Sequence, residues 1–280
     1  MSNEFGNLER ADKIVALPWR DAIRSRPGMY VGGTGYEALC VLIREIYNNS
    51  CDECSKTANK IVVDRDFNGL ALVADNGRGI SIEYSEQHPT IVSADLSISD
   101  LHTGSKFQET DLSKAKTKMP TSGQNGVGSS AVNALSADYI LMSWITPLNF
   151  DKSLPQVKEL WESTRSKKDL FYIVWYKKGI KFFEGAMKKK DIEKMLFSNL
   201  PSYKEIPSGM STIVMFNPDP EIFVQPAEEA AKKGLTLNTY MNLEIENYQY
   251  FLLVAEKFLK KKVTILADGN IIDKSGFNGF

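Results

Sequence analysis

The sequence predicts an α+β fold of two layers, a mixed β-sheet covered on one face by helices. Three observations carry that expectation. From Tyr36 to Cys54 the apolar residues Leu39, Leu42, Ile43, Ile46 and Tyr47 recur at helical spacing. Short runs rich in β-branched and aromatic residues are spread along the chain, and two of them, Leu170 to Lys177 and Gly179 to Glu184, abut as a hairpin would. No clear linker and no internal repeat divides the 280 residues, so one helix-covered sheet fits better than two domains.

The elements follow in order. Residues 1–35 read as an amino-terminal arm, and residues 36–280 as the domain proper. Within the arm, Trp19 to Ser25 suits a turn or two of helix, which Arg26-Pro27-Gly28 stops. Met29-Tyr30-Val31 then runs into Gly32-Gly33. After the helix from Tyr36 to Cys54, strands are expected at Lys60 to Asp64 and Gly69 to Ala74. Residues 82–122 are irregular and rich in Ser, Thr and Lys, with a short helix near Ile91 to Leu101. A polar stretch of that length inside a compact domain suits a lid or a binding loop. Gly126 to Leu135 resumes a helix and Tyr139 to Trp144 reads as a strand. Thr212 to Phe216 is another strand, bounded by Pro218 and Pro220. Leu243 to Leu259 is an amphipathic helix, and Val263 to Ala267 is a last strand before Asp268-Gly269.

Composition narrows the function class. The net charge is −1, so no global basic field marks a nucleic-acid binder, and any DNA contact would need a local patch or other domains. No signal peptide and no membrane-spanning apolar run is visible, and the three cysteines, Cys40, Cys51 and Cys54, suit a reducing cytoplasm. Cys51-x-x-Cys54 lies inside the helical pattern without a second pair at ligand spacing, so it reads as helix and not as a metal site.

The chemistry concentrates in three places. Asp75-Asn76-Gly77-Arg78-Gly79-Ile80 sets a carboxylate at a strand end, beside a turn whose glycines let a flat group approach; such a carboxylate can accept a hydrogen bond from the exocyclic amine of adenine. Upstream, Glu45, Asn49, Asp52 and Glu53 are mostly three and four apart on one helix, so several share or adjoin a face. Glu45 is the candidate general base for water attacking a γ-phosphate, and Asn49 can offer an oxygen to Mg²⁺. Glu53 and Arg78 can pair and pin the helix to the turn. Downstream, Gly123-Gln124-Asn125-Gly126-Val127-Gly128 opens a helix, where backbone N–H groups suit phosphate and glycines clear the approach. Lys106 can reach phosphate from the loop, and Thr212 can hydrogen-bond near the base. Taken singly, each is also what a solvated helix, a tight turn or an ordinary strand would carry. Their order is that of a nucleotide-binding ATPase without a Walker A sequence.

These segments closely resemble the ATPase domain shared by DNA gyrase B subunits, topoisomerase IV, and phage and eukaryotic type II topoisomerases, within the wider GHKL superfamily of chaperones, histidine kinases and mismatch-repair ATPases. Asp21 to Gly32, with Arg26-Pro27-Gly28-Met29-Tyr30, resembles the arm motif typical of the topoisomerase branch. Glu45 to Glu53 resembles the catalytic helix, Asp75 to Ile80 the adenine turn, and Gly123 to Ser130 with Val132 to Ser136 the phosphate lid and its helix. The resemblance implies a Bergerat-type ATP-binding fold that binds and hydrolyses ATP with Mg²⁺ and dimerises on ATP through the arm, Tyr30 included, to drive DNA strand passage. It implies that Glu45 activates water, that Asn49 binds Mg²⁺, and that Asp75, Gly79 and Thr212 surround the adenine. Lys106, Gly126, Val127 and Gly128 would hold phosphates, and Glu53, Arg78, Ile80, Gly123 and Asn125 would be further nucleotide-binding residues. It further implies a fragment ending before the transducer domain, with the DNA-cleaving module lying outside this chain. The chain departs from the usual pattern at Val41, where gyrases carry His, at Asn48 in place of Asp, at Ser81 in place of Pro, and in a longer, Lys-rich stretch from Lys106 to Gly123. These departures favour a divergent, phage-like enzyme. The alternative is a nucleotide-gated dimerisation or interaction module with little catalysis.

Overall fold

A computed structural model of the chain describes residues 17–101, 126–151 and 153–277. Its helices are α1 (Trp19–Ser25), α2 (Gly28–Val31), α3 (Tyr36–Cys54), α4 (Ser93–Ser99), α5 (Gly128–Ala134), α6 (Pro155–Ser163), α7 (Lys189–Phe197), α8 (Val224–Lys232), α9 (Leu237–Tyr240) and α10 (Ile245–Lys257). Its strands are β1 (Lys60–Phe67), β2 (Leu70–Asp75), β3 (Ser136–Trp144), β4 (Leu170–Lys177), β5 (Ile180–Lys188), β6 (Thr212–Pro218), β7 (Thr264–Ala267) and β8 (Asn270–Ile272).

The strands form one sheet in the order β5-β4-β3-β6-β2-β1-β7-β8. The pairing of β1 with β7 is parallel and the other pairings are antiparallel, so the sheet is mixed. Alternation along each strand then sorts side chains between two faces. On one face Val73, Leu141, Val214 and Phe216 join the buried residues of α3, Leu39, Leu42, Ile43, Ile46 and Tyr47, in the larger core. The long helix forms because that apolar stripe repeats every three to four residues, and burial of the stripe against the sheet holds it there.

The other face is not bare. Leu72, Ala74, Ile140, Met142, Ile213 and Met215 form a second, smaller core with Ile192 and Phe197 of α7 and with Ile206 and Met210. The central strands are apolar on both faces, so water must be excluded from both. The expected two-layer arrangement therefore holds for the main helical layer, and α7 with the segment after it adds a partial third.

Registry places the polar ends of three strands side by side. Asp75 at the end of β2 faces Thr212 of β6, and Thr212 faces Ser143 of β3. This row lies where the apolar face of the sheet ends, beneath α3.

Candidate functional site

Glu45, Asn49 and Glu53 lie one turn apart on α3, along the edge of its buried stripe, and span about 12 Å along the axis. Two of them meet the start of α5. A Cβ added to Gly128 would fall 2.2 Å from Glu45 Oε2, so the glycine backbone and the carboxylate are in close apposition. Asn49 Nδ2 donates to Ser129 Oγ at 3.0 Å. Gly126, with φ of 60°, takes the left-handed backbone that leads into this start, and Val127 caps α5.

The other end of the stripe meets the β2 turn. Arg78 donates to Glu53 from Nε at 2.8 Å and from its backbone N–H at 3.2 Å. Burial opposes ionisation of Glu53, but hydrogen bonds from Arg78 and from the Thr57 hydroxyl prevail and hold its carboxyl below the usual range. Gly77 fits beneath this pair; a Cβ there would lie 2.3 Å from Glu53 Cγ.

Asp75 is 3% exposed. Its carboxylate accepts from Ser50 Oγ at 3.1 Å and from Gly77 N–H at 3.0 Å, and Thr212 lies opposite it on the neighbouring strand. Burial pushes Asp75 up from 3.8 to about 7, against the pull of these donors, and the nearby Glu53 charge adds to the rise. Next to it, Gly79 adopts φ of 77°, and a Cβ there would meet Asn149 Nδ2 at 2.9 Å and Ser143 Oγ at 3.0 Å. Ser143 accepts the Ile80 N–H at 2.8 Å, and Asn149 Nδ2 donates to the Ile80 carbonyl at 3.1 Å. The turn is thus braced from β3 and from the loop that follows it.

The structure brings together Glu45, Asn49, Glu53, Asp75, Arg78, Gly79, Ile80, Gly126, Val127, Gly128 and Thr212 around the α3 stripe. Lys106, Gly123 and Asn125 lie outside the described residues. Ser50, Ser129, Ser143 and Asn149 escaped the sequence reading. Ser50 carried a signal, since it is a hydroxyl at a buried position of the apolar stripe. Ser143 and Asn149 carried none, because strand registry brings the first to the turn and the path of the loop after β3 brings the second. Cys51 and Cys54 are free thiols within α3; burial pushes Cys54 up to about 12, which fits the plain helical reading. Among the described residues no group of three His, Cys, Asp or Glu could hold a metal unaided, and no helix is long and apolar enough to cross a membrane.

No protein-family model matches the chain. The B subunit of DNA topoisomerase 4 from Bartonella bacilliformis is 40% identical over 129 residues, which is 46% of this chain and 18% of that protein. The B subunit of DNA gyrase from Treponema denticola is 40% identical over 129 residues, 45% of this chain and 19% of that protein. The match therefore spans under a fifth of the length of these curated relatives. Among solved structures, the 43K ATPase domain of Thermus thermophilus gyrase B, in complex with an aminocoumarin, aligns with a TM-score of 0.53 at 22% identity, over 93% of this chain and 53% of that one. The chain is a homologue of the B subunits of DNA gyrase and topoisomerase IV, built on the fold of the gyrase B ATPase domain.

Proposed function

We propose that this chain is the ATP-binding and hydrolysing clamp domain of a type II DNA topoisomerase. The observation that carries the reading is that one rigid helix presents Glu45 to the glycine turn at Gly128 and, a turn and a half further on, Ser50 to the buried Asp75. Asp75 would accept the adenine amine, with Thr212, Gly77 and Gly79 shaping the base end. The backbone from Gly126 to Gly128 would lie along the phosphates, joined by Lys106, Gly123 and Asn125. Glu45 would hold the attacking water and take its proton. Glu53 and Arg78 would keep α3 and the turn at a constant separation.

The donor set suits Mg²⁺. With Asn49 Nδ2 on Ser129, its Oδ1 is a hard oxygen one turn along α3 from Glu45, and an ion that takes most of its ligands from phosphate and water needs little more from the protein. Held there, the ion would supply charge neutralisation at the phosphate oxygens. Dimerisation on ATP through the arm, DNA capture and a DNA-cleaving module would belong to the whole enzyme, and are proposed from the resemblance of the arm, helix and turn segments alone.

Calorimetry with the β,γ-imido analogue of ATP and Mg²⁺, beside ATP turnover of wild type and Glu45→Ala, tests the reading. Tight analogue binding by both proteins and turnover by wild type alone is expected. No binding by the folded wild type would overturn it.

A further inference from the structure

We infer that Ser129 and Tyr139 are positioning residues that set the amide of Asn49 for its cation, an inference that rests on the nucleotide-site reading above. Asn49 is exposed, and one hydrogen bond to a freely turning hydroxyl would not hold its amide. Its partner Ser129 is not free to wander. The next residue of α5, Ser130, donates to the Asp100 carbonyl at 2.5 Å, and Asn133 Nδ2 donates to the Ile98 carbonyl at 2.7 Å, so the rotation of this helix about its axis is pinned by α4.

Behind Ser129 stands Tyr139 of β3. It is 1% exposed, and its buried hydroxyl has no hydrogen-bond partner among the described residues. An unmade hydrogen bond of this kind is costly and calls for a reason. Ser129 is the polar side chain whose interaction tempers the rise that burial imposes on the Tyr139 phenol. A small approach of the two hydroxyls completes a chain in which the phenol donates to Ser129 Oγ, and Ser129 Oγ also accepts from Asn49 Nδ2. With its nitrogen engaged by Ser129, the amide keeps Oδ1 as its acceptor for a cation, on the residue one turn along α3 from Glu45. The three residues come from α3, α5 and β3, so the cation's ligand is set by three elements rather than by one helix rotamer.

The test uses Tyr139→Phe, which removes one buried oxygen, with Ser129→Ala and Ser129→Thr. Calorimetry with the β,γ-imido analogue of ATP is run across a Mg²⁺ series and without Mg²⁺, and thermal unfolding is followed in parallel. Tyr139→Phe should unfold at or above the wild-type temperature and bind the analogue normally without Mg²⁺. The Mg²⁺ concentration for half-maximal tight binding should rise about three- to tenfold, as expected when the partner behind a metal ligand is weakened. Ser129→Ala should do the same, the double variant should be no worse than the stronger single one, and Ser129→Thr should restore the wild-type requirement. If the variants share the wild-type Mg²⁺ requirement, or lose Mg²⁺-free affinity equally, the inference is overturned while the nucleotide reading stands. A wild-type protein that binds no analogue under any condition overturns both.

Discussion

Asp75→Asn separates the stability of the fold from its recognition of a base. The folded protein holds Asp75 near 7, against 3.8 for an ordinary aspartate. Between those values the folded state keeps a proton that the unfolded chain has released. Stability is therefore full below about pH 4, drains as pH rises toward 7, and the cost is complete above it. The difference corresponds to roughly 4 kcal/mol at most, at about 1.4 kcal/mol for each tenfold change in proton affinity. Asparagine can keep the Gly77 N–H on Oδ1 and offer its amide nitrogen to Ser50 Oγ, so no orphaned buried group is created. Urea titrations should then find Asp75→Asn more stable than wild type at pH 8, with the advantage roughly halved at pH 5.5. Nucleotide binding should move the other way. A charged acceptor is worth about 1.5–3 kcal/mol to its donor, so the analogue should bind at least about tenfold more weakly. Wild-type affinity should climb as pH passes through 7, while that of the variant stays flat. An unchanged stability difference from pH 5.5 to 8, together with undiminished analogue affinity, would refute the reasoning.

Further outcomes follow from the same geometry. Glu45→Gln keeps the shape of the side chain but not its basicity, so ATP turnover should fall by about 10²–10⁴ with analogue affinity preserved, as single-turnover kinetics and calorimetry would reveal. Gly128→Ala would put a methyl 2.2 Å from Glu45 Oε2 and swing that flexible carboxylate aside; turnover should drop steeply while the melting temperature scarcely moves. Arg24 donates to Asp219 at 2.7 Å and to the Ala134 carbonyl at 2.8 Å, and the Asp219 side chain is 0% exposed. Arg24→Met should cost about 3 kcal/mol in urea unfolding, the low end for a broken buried pair because Lys178 lies 3.9 Å from Asp219. Arg78→Ala should cost under about 1 kcal/mol by the same assay, since Arg78 is 56% exposed.

The helix from Tyr36 to Cys54, the hairpin strand from Leu170 to Lys177 and the turn at Asp75 were legible because each carries its own local signal: a 3.6-residue apolar period, a β-branched and aromatic run, a glycine pair after a carboxylate. Short elements such as α7, α8 and β8 were not, because a few residues of weak periodicity become regular only when they pack on a neighbour. The residue types that make the candidate site, Glu45, Asn49, Asp75 and the glycines, were likewise set by the chain. What tertiary structure alone decided is their company. Antiparallel registry lines up Asp75, Thr212 and Ser143 across three strands, and the docking of α5 on α3 brings Ser129 to Asn49 and Gly128 to Glu45. Sequence spacing records neighbours along one helix or strand; contacts between elements far apart in the chain depend on how those elements bury their apolar faces together.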